Sequence, residues 1–176
     1  MFTNEAIDTE NARVREVYAR FGLAVYHAQC FEHGLANLNL TAHLVMANEV
    51  VQNREQWEAL VDEVLDRSFE KTLGNLIREL KKVINIDAGA MASISEAKAI
   101  RDELCHRFFR EHSEDFMTPA GQDRMLLKLE KLDAKICEAT AIVDLIEGAV
   151  AKHIGQTPET RAAFFENYEA EILARG

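Results

Sequence analysis

The chain has 176 residues, of which 48% are hydrophobic and 28% charged, and its net charge is −10. This composition is typical of one globular domain and excludes an intrinsically disordered chain. The acidic balance means that the surface as a whole repels nucleic acid, so any RNA contact requires a local basic patch.

The first predicted helix carries apolar residues at alternating steps of three and four, which place them on one face. These residues are Val14, Val17, Phe21, Ala24, Ala28, Phe31, Leu35 and Leu38. The pattern continues less regularly to Val50.

Two shorter helices are predicted to follow, the second from Phe69 to Val83. The first of them is predicted around Trp57, Leu60, Val61 and Leu65.

The stretch from Asn85 to Ala92 interrupts the apolar pattern and is predicted to be a loop. Ser93 precedes Glu96 by three positions. This spacing is a capping-box signature, so the next helix is predicted to begin there and to run to about Ser113.

Thr118 and Pro119 predict the start of a second long helix, with the threonine as its cap. Its apolar seam consists of Met125, Leu129, Leu132, Ile136, Ala139, Val143, Ile146 and Val150. Gly155 is predicted to end this helix, and Thr157 and Pro158 to start a last one. The apolar residues of that last helix are Phe164, Phe165, Tyr168 and Ile172.

Two long helices with regular seams need partners, and glycine and proline are too scarce for a turn-rich sheet protein. We therefore predict an all-α fold, an antiparallel helical bundle in which shorter helices flank the two long ones. One domain is predicted over 1–176, with a core at about 14–154 and an appended C-terminal helix at 158–175.

The absence of a long apolar run and of a signal peptide predicts a cytoplasmic protein without membrane association. The cysteines, Cys30, Cys105 and Cys137, are odd in number and widely spaced. They are predicted to be buried free thiols, and they form no disulfide or zinc pattern. No metal and no cofactor are predicted.

The stretch Arg101–His106 is the strongest candidate for chemistry, because arginine suits a phosphate and histidine titrates near neutral pH. One side of this helix is predicted to face the core through Ala97, Ile100, Leu104 and Phe108. The opposite side is predicted to carry Asp102, Cys105, His106 and Phe109. An aromatic ring beside ionisable groups indicates that another surface, such as a second subunit, covers this side.

Asp102, His106 and Arg110 follow one another at steps of four, so they can orient the imidazole and hold an anion. The alternative is a surface ion-pair ladder, in which each pair contributes only a few tenths of a kcal/mol. The spacing alone is weak, since Arg107 and His112 have the same separation.

The string from Arg101 to Phe109 reads RDELCHRFF. It is similar to the Arg-Asn-x-Leu-x-His-x-Phe-Phe runs of small bacterial members of the HEPN superfamily (higher eukaryote and prokaryote nucleotide-binding). The resemblance extends over about Val14 to Ile154, although only the short motif is diagnostic. Asp102 stands where asparagine is commonest in that superfamily, and its charge beside a phosphate site disfavours nuclease activity.

The resemblance implies a metal-independent endoribonuclease whose active site forms between two subunits. Many members of the superfamily are toxins paired with an antitoxin, often a minimal nucleotidyltransferase, and others are binding modules without catalysis. The implied partners are therefore a second copy of the chain, RNA and a nucleotidyltransferase-type antitoxin. The alternative is a catalytically inactive, dimeric helical binding module.

The implied catalytic residues are Arg101, Asp102 and His106. His106 would transfer a proton, Arg101 would neutralise the phosphoryl charge, and Asp102 would orient His106. A local positive patch for substrate binding would come from Arg107, Arg110 and His112.

Three rival readings are weaker. A ferritin-like di-metal site needs two Glu-x-x-His motifs, and the chain has only Glu103–His106. On the first helix, His27, Glu32 and His33 are predicted to flank the core, although His27 would line the same cleft if that helix packs beside the motif. Cys105 is a poor nucleophile candidate, because the adjacent His106 points about 100° away around the helix and so pairs poorly with the thiol.

Overall fold

The computed structural model describes two long stretches of the chain, 4–47 and 72–155, with side chains from 12 to 45 in the first. Shorter described pieces are 56, 58–59, 62–64, 157, 159, 162–163, 166–167, 170 and 173–174. Several predictions lie outside the described residues: Val50, Trp57, Leu60, Val61, Leu65, Phe69, Phe164, Phe165, Tyr168 and Ile172.

Within the described residues all regular secondary structure is helical, which confirms the predicted all-α class. The α-helices are α1 (Asn4–Ala47), α2 (Leu73–Val83), α3 (Ala88–His106), α4 (Phe108–Glu111), α5 (Ser113–Phe116) and α6 (Pro119–Ala151). A short 3-10 helix, Lys152–Ile154, follows α6. Across these described helices, none is both long and apolar enough to cross a membrane.

The chain forms two compact units, and the two long helices contribute residues to both. The first unit consists of Met1–His33 and Ile86–Ile142, and the second of Gly34–Asn85 and Val143–Gly176. In the first unit, α3 and the following α4 run antiparallel to α1, because Glu32 is bonded to Arg101 of α3 and Phe21 packs on Phe108 of α4. α3 also runs antiparallel to α6, because Glu96 pairs with Lys135 and Glu103 pairs with Lys128.

The two long helices themselves run in the same direction. In the first unit, Arg13 pairs with Asp123 and His27 with Asp133, so positions on both helices increase together. In the second unit, the hydroxyl of Thr41 donates to Glu147. The antiparallel character of the bundle thus comes from α3, which lies against both long helices.

The predicted seams form the core. On α1 the buried seam residues are Val17, Ala24, Ala28, Phe31, Leu35 and Leu38, and on α6 they are Met125, Leu129, Ile136, Ala139 and Val143. The remaining seam positions of both helices are half-buried. α2 contributes Leu73, Leu76, Ile77 and Leu80 to the second unit.

The predicted start of α3 is wrong. The helix begins at Ala88, because the carboxylate of Asp87 accepts from the backbone N–H groups of Gly89 and Ala90. This N-cap satisfies amides that otherwise have no partner. Ser93 therefore lies inside the helix, where its hydroxyl donates to the carbonyl of Gly89.

The predicted end of α3 is also wrong. The helix stops at His106, and Arg107 leaves helical geometry with φ −134° and ψ −25°. The short helices α4 and α5 follow, separated by His112.

The start of α6 is as predicted, with the hydroxyl of Thr118 accepting from the N–H of Gly121. α6 itself ends at Ala151, before the 3-10 helix that Gly155 terminates with φ 75°.

Candidate functional site

Arg101 is held between two helices of the first unit. Its Nη2 donates to both carboxylate oxygens of Glu32 on α1, at 3.2 and 3.1 Å, and its Nη1 donates to Asp102 at 3.3 Å. Burial alone lowers the pKa of Arg101, but the charge and hydrogen bond of Glu32 outweigh it, so that pKa is raised. The guanidinium is therefore a fixed cation tethered to α1.

Asp102 has cations on both of its oxygens. Lys98 donates to Oδ2 at 2.6 Å, and Arg101 donates to Oδ1. Burial raises the pKa of this carboxyl group, but Lys98 and Arg101 outweigh burial, so the pKa lies below its usual value. Within the described residues Asp102 makes no hydrogen bond to His106, in contrast to the predicted pairing.

His106 is the last residue of α3, and its side chain is exposed. It forms no hydrogen bond or ion pair with any other described residue. This imidazole is therefore accessible to a ligand, whereas the neighbouring arginine is already bonded within the chain.

Phe109 does not lie beside Asp102 and His106 as predicted. Its ring packs on Tyr18 and Phe21 of α1, with ring centres 5.6 and 4.8 Å away, and on Phe116 at 5.8 Å. The prediction was wrong because it treated Phe109 as part of the same helix, whereas α3 ends at His106 and Arg107 leaves helical geometry. The chain itself covers this ring, so Phe109 no longer argues for a second subunit.

The predicted substrate-binding residues differ in accessibility. Arg107 and Arg110 are exposed, and Arg107 lies 3.8 Å from the carboxylate of Glu111. His112 is half-buried, with Nδ1 3.1 Å from Asp115 and Nε2 3.0 Å from Lys128. Two of the three predicted residues, Arg107 and Arg110, are therefore placed to meet a ligand.

His112 has a structural role where α5 meets α6. The hydrogen bond from His112 and then the one from Arg124 hold the pKa of Asp115 below its usual value. Lys128 lies 2.6 Å from Glu103, which links α6 to α3. These contacts fix the region that follows the motif.

A second cluster, which the sequence patterns did not reveal, lies between α1 and α6 in the first unit. His27 Nδ1 is 2.7 Å from Asp133 Oδ1 and 3.5 Å from Cys137 Sγ. One ligand atom from each of these three residues lies within 4.8 Å of the other two. We call His27, Asp133 and Cys137 the α1–α6 cluster.

The thiols of the chain differ from the prediction. Cys105 and Cys137 are exposed, and only Cys30 is half-buried. Cys30 lies near the α1–α6 cluster, since burial, the charge of Asp133 and then that of Cys30 raise the pKa of Cys137. Tyr26 also belongs to this surface, because its hydrogen bond to Cys30 raises the pKa of the phenol.

A local signal for this cluster exists in the sequence, although it is incomplete. Asp133 and Cys137 are four apart and therefore share a face of α6. Their partner His27 is 106 residues from Asp133. His27 and Glu32 are half-buried beside the core, where they were predicted, but they face different helices: His27 turns to α6, whereas Glu32 bonds to α3.

Comparison with protein-family models, with curated proteins and with solved structures gives no match for this chain.

Proposed function

We propose that the protein is a HEPN-like, metal-independent endoribonuclease that acts as a homodimer. The observation that carries the proposal is the pair formed by a fixed guanidinium, Arg101 on Glu32, and an exposed imidazole, His106, on one helix. A cation for the phosphate and a group for proton transfer are the two requirements of metal-free RNA cleavage.

Helix geometry favours a site built from two copies of the chain. Arg101 and His106 are five residues apart, so they diverge by about 140° around α3 and by about 7.5 Å along it. Within one chain their side chains therefore leave the helix in different directions. Two copies with facing α3 helices would bring the arginine of one and the histidine of the other to a single phosphate.

The proposed reaction is an internal transesterification. One His106 takes the proton of the RNA 2′-hydroxyl, the 2′-oxygen attacks phosphorus, and the bond from phosphorus to the 5′-oxygen breaks. The His106 of the second copy, in its protonated form, gives its proton to the departing 5′-oxygen. The products are a 2′,3′-cyclic phosphate and a 5′-hydroxyl, and Arg101 stabilises the charge that grows on the phosphoryl oxygens.

RNA binding by an acidic chain requires local cations. Arg107 and Arg110, both exposed and just beyond His106, are the proposed phosphate contacts. Asp102 opposes this role less than its charge suggests, because Lys98 and Arg101 already neutralise it. A nucleotidyltransferase-type antitoxin stays a prediction from the resemblance.

The test is RNA cleavage by the purified chain in a chelator, with single-stranded RNAs of varied sequence. His106→Ala is expected to lower the rate by about 10²- to 10⁴-fold, the range for loss of a general acid–base group. His153→Ala is the matched control, since among the described residues this exposed histidine bonds only to backbone carbonyls at the end of α6. Cleavage unaltered by His106→Ala, or no cleavage of any RNA, would refute the proposal.

A second candidate, a dimeric binding module without catalysis, is favoured by the pairing of the motif cations. Arg101 is bonded to Glu32 and Asp102, and Arg107 lies 3.8 Å from Glu111, so carboxylates of the chain itself offset the charge of these two arginines. The two candidates separate on the cleavage assay. Sedimentation of the intact chain then tests the dimer that both require, and a monomer at micromolar concentration would contradict both.

A further inference from the structure

The α1–α6 cluster brings a nitrogen, an oxygen and a sulfur donor together from two helices. His27 Nδ1 lies 2.7 Å from Asp133 Oδ1 and 3.5 Å from Cys137 Sγ. We propose that His27, Asp133 and Cys137 bind a divalent transition-metal ion of the zinc class, with a fourth position open to solvent. This inference goes beyond the proposed nuclease function and does not depend on it.

The distances fit tetrahedral coordination with little movement. Bond lengths of about 2.0–2.1 Å to nitrogen and about 2.3 Å to sulfur place the two donors roughly 3.6 Å apart around a tetrahedral zinc ion. The observed separation of Cys137 Sγ from His27 Nδ1 is 3.5 Å. The sulfur and the nitrogen are therefore already at a coordination distance from each other.

The third donor requires an adjustment. Nitrogen and oxygen ligands of one zinc ion lie roughly 3.4 Å apart, whereas His27 and Asp133 are 2.7 Å apart because they form a hydrogen bond. Their side chains are 30% and 23% exposed, so small rotations can separate these atoms. The ion would replace the hydrogen bond between His27 and Asp133.

The donor set selects the class of metal. Imidazole and thiolate ligands suit zinc and cobalt, whereas magnesium and calcium prefer oxygen donors. A thiolate and a carboxylate also supply two negative charges, which balance a divalent cation. Asp133 and Cys137 are spaced four apart on α6, the spacing that lets two ligands on one helix face reach one ion.

The position of the site defines what the ion would do. α1 supplies one ligand and α6 supplies two, so the ion joins the two long helices within the first unit. Cys137 is exposed, which leaves the fourth position accessible to water. Metal binding stabilises the folded chain by mass action, because the unfolded chain does not hold these three donors together.

The test is titration of the metal-free, full-length chain with Co²⁺, followed by displacement with Zn²⁺. We expect one equivalent to bind and to give the near-ultraviolet charge-transfer absorption of a cobalt–thiolate bond. Cys137→Ser removes that absorption, and Cys105→Ser retains it, because this second exposed thiol lies on α3 outside the cluster.

Affinity provides the second readout. Changes to groups that merely orient a ligand cost about 10- to 100-fold in metal affinity, so His27→Gln and Asp133→Asn should each cost at least about 100-fold. Circular dichroism checks that each variant folds, and Cys137→Ser, at an exposed position, carries the test if either does not. No thiolate absorption with the unaltered chain, or absorption that persists in Cys137→Ser, would overturn the proposal.

Discussion

Two groups of polar side chains in the first unit balance their charges in different ways. Around the motif, the cations of Lys98 and Arg101 are bonded to the carboxylates of Glu32 and Asp102. In the α1–α6 cluster, the carboxylate of Asp133 faces an imidazole and a thiol. In the first group, charged side chains already neutralise one another, whereas the second group has donor atoms that an added cation can bind.

The comparison teaches that spacing in the sequence and capacity for chemistry are separate properties. Arg101 and His106 are close in sequence, yet Arg101 is bonded to Glu32, whereas the side chain of His106 bonds to no other described residue. The α1–α6 cluster has only a partial local signature, the spacing of four between Asp133 and Cys137, yet its three donors lie close together.

The largest expected effect on stability comes from Phe108→Ala, because this ring is 1% exposed beneath the motif. We expect a loss of about 3–5 kcal/mol in the free energy of unfolding, measured in urea. Phe109→Ala is the matched comparison, since its ring is only half-buried, and should cost about 1–2 kcal/mol. Equal losses would show that the motif region does not rest on this apolar anchor.

A smaller effect is expected from Gly121→Ala at the junction of α5 and α6. A Cβ atom there would lie 2.5 Å from the Cα and 2.6 Å from the carbonyl carbon of Asp115, and backbone atoms cannot rotate away. The cost should be about 1–3 kcal/mol. Apart from the backbone of its own helix, a Cβ atom at Gly148 on the same helix meets no atom of the described residues within 4 Å, so Gly148→Ala should stabilise the chain by up to about 1 kcal/mol.

Gly121→Ala also tests whether the motif region and the α1–α6 cluster are coupled. Displacing Asp115 disturbs its bonds to His112 and Arg124, whereas His27, Asp133 and Cys137 lie farther along the helices. Cobalt binding by Gly121→Ala should therefore match that of the unaltered chain under conditions in which it stays folded. A loss of cobalt binding in the folded variant would show that the two regions are coupled.

The smallest expected effect is the pH dependence of Asp102→Asn. The pKa of Asp102 is lowered in the folded chain. Its contribution to the free energy of unfolding is therefore fully present at a pH above its ordinary pKa, and it disappears as the pH falls through its pKa in the folded chain. Because the pair is partly exposed, the variant should lose less than about 1 kcal/mol at pH 7. The difference should shrink below about pH 4; a constant difference from pH 7 to pH 3 would contradict the pairing with Lys98 and Arg101.

Much of the fold follows from local patterns. The seams of α1 and α6 and the inward face of α3 are buried where the periodicity placed them, because the side-chain directions of a helix repeat every 3.6 residues. Helix boundaries were less predictable. Asp87, and not Ser93, is the N-cap of α3. Both side chains can accept from backbone N–H groups, so only the path of the backbone determines which of them lies at the start of the helix.

For the candidate site, the sequence supplied the residues but not their partners. It indicated His106 on the side of α3 away from the core, and the structure leaves that side chain exposed. It also paired Asp102 with His106, whereas the carboxylate bonds to Lys98 and Arg101. Several side chains lie within reach of the Asp102 carboxylate on the helix, and it bonds to the permanently charged Lys98 and Arg101.

The amino-acid sequence by itself determined the all-α class, the buried faces of the long helices and the short motif that suggests a function. These features depend on neighbours within about one or two helical turns, so they are encoded locally. Only the tertiary structure decided that Glu32 binds Arg101 and that His27 meets Asp133 and Cys137, across 69, 106 and 110 residues. A regular apolar seam allows many alignments of two helices, and side-chain packing selects the one that brings these groups together.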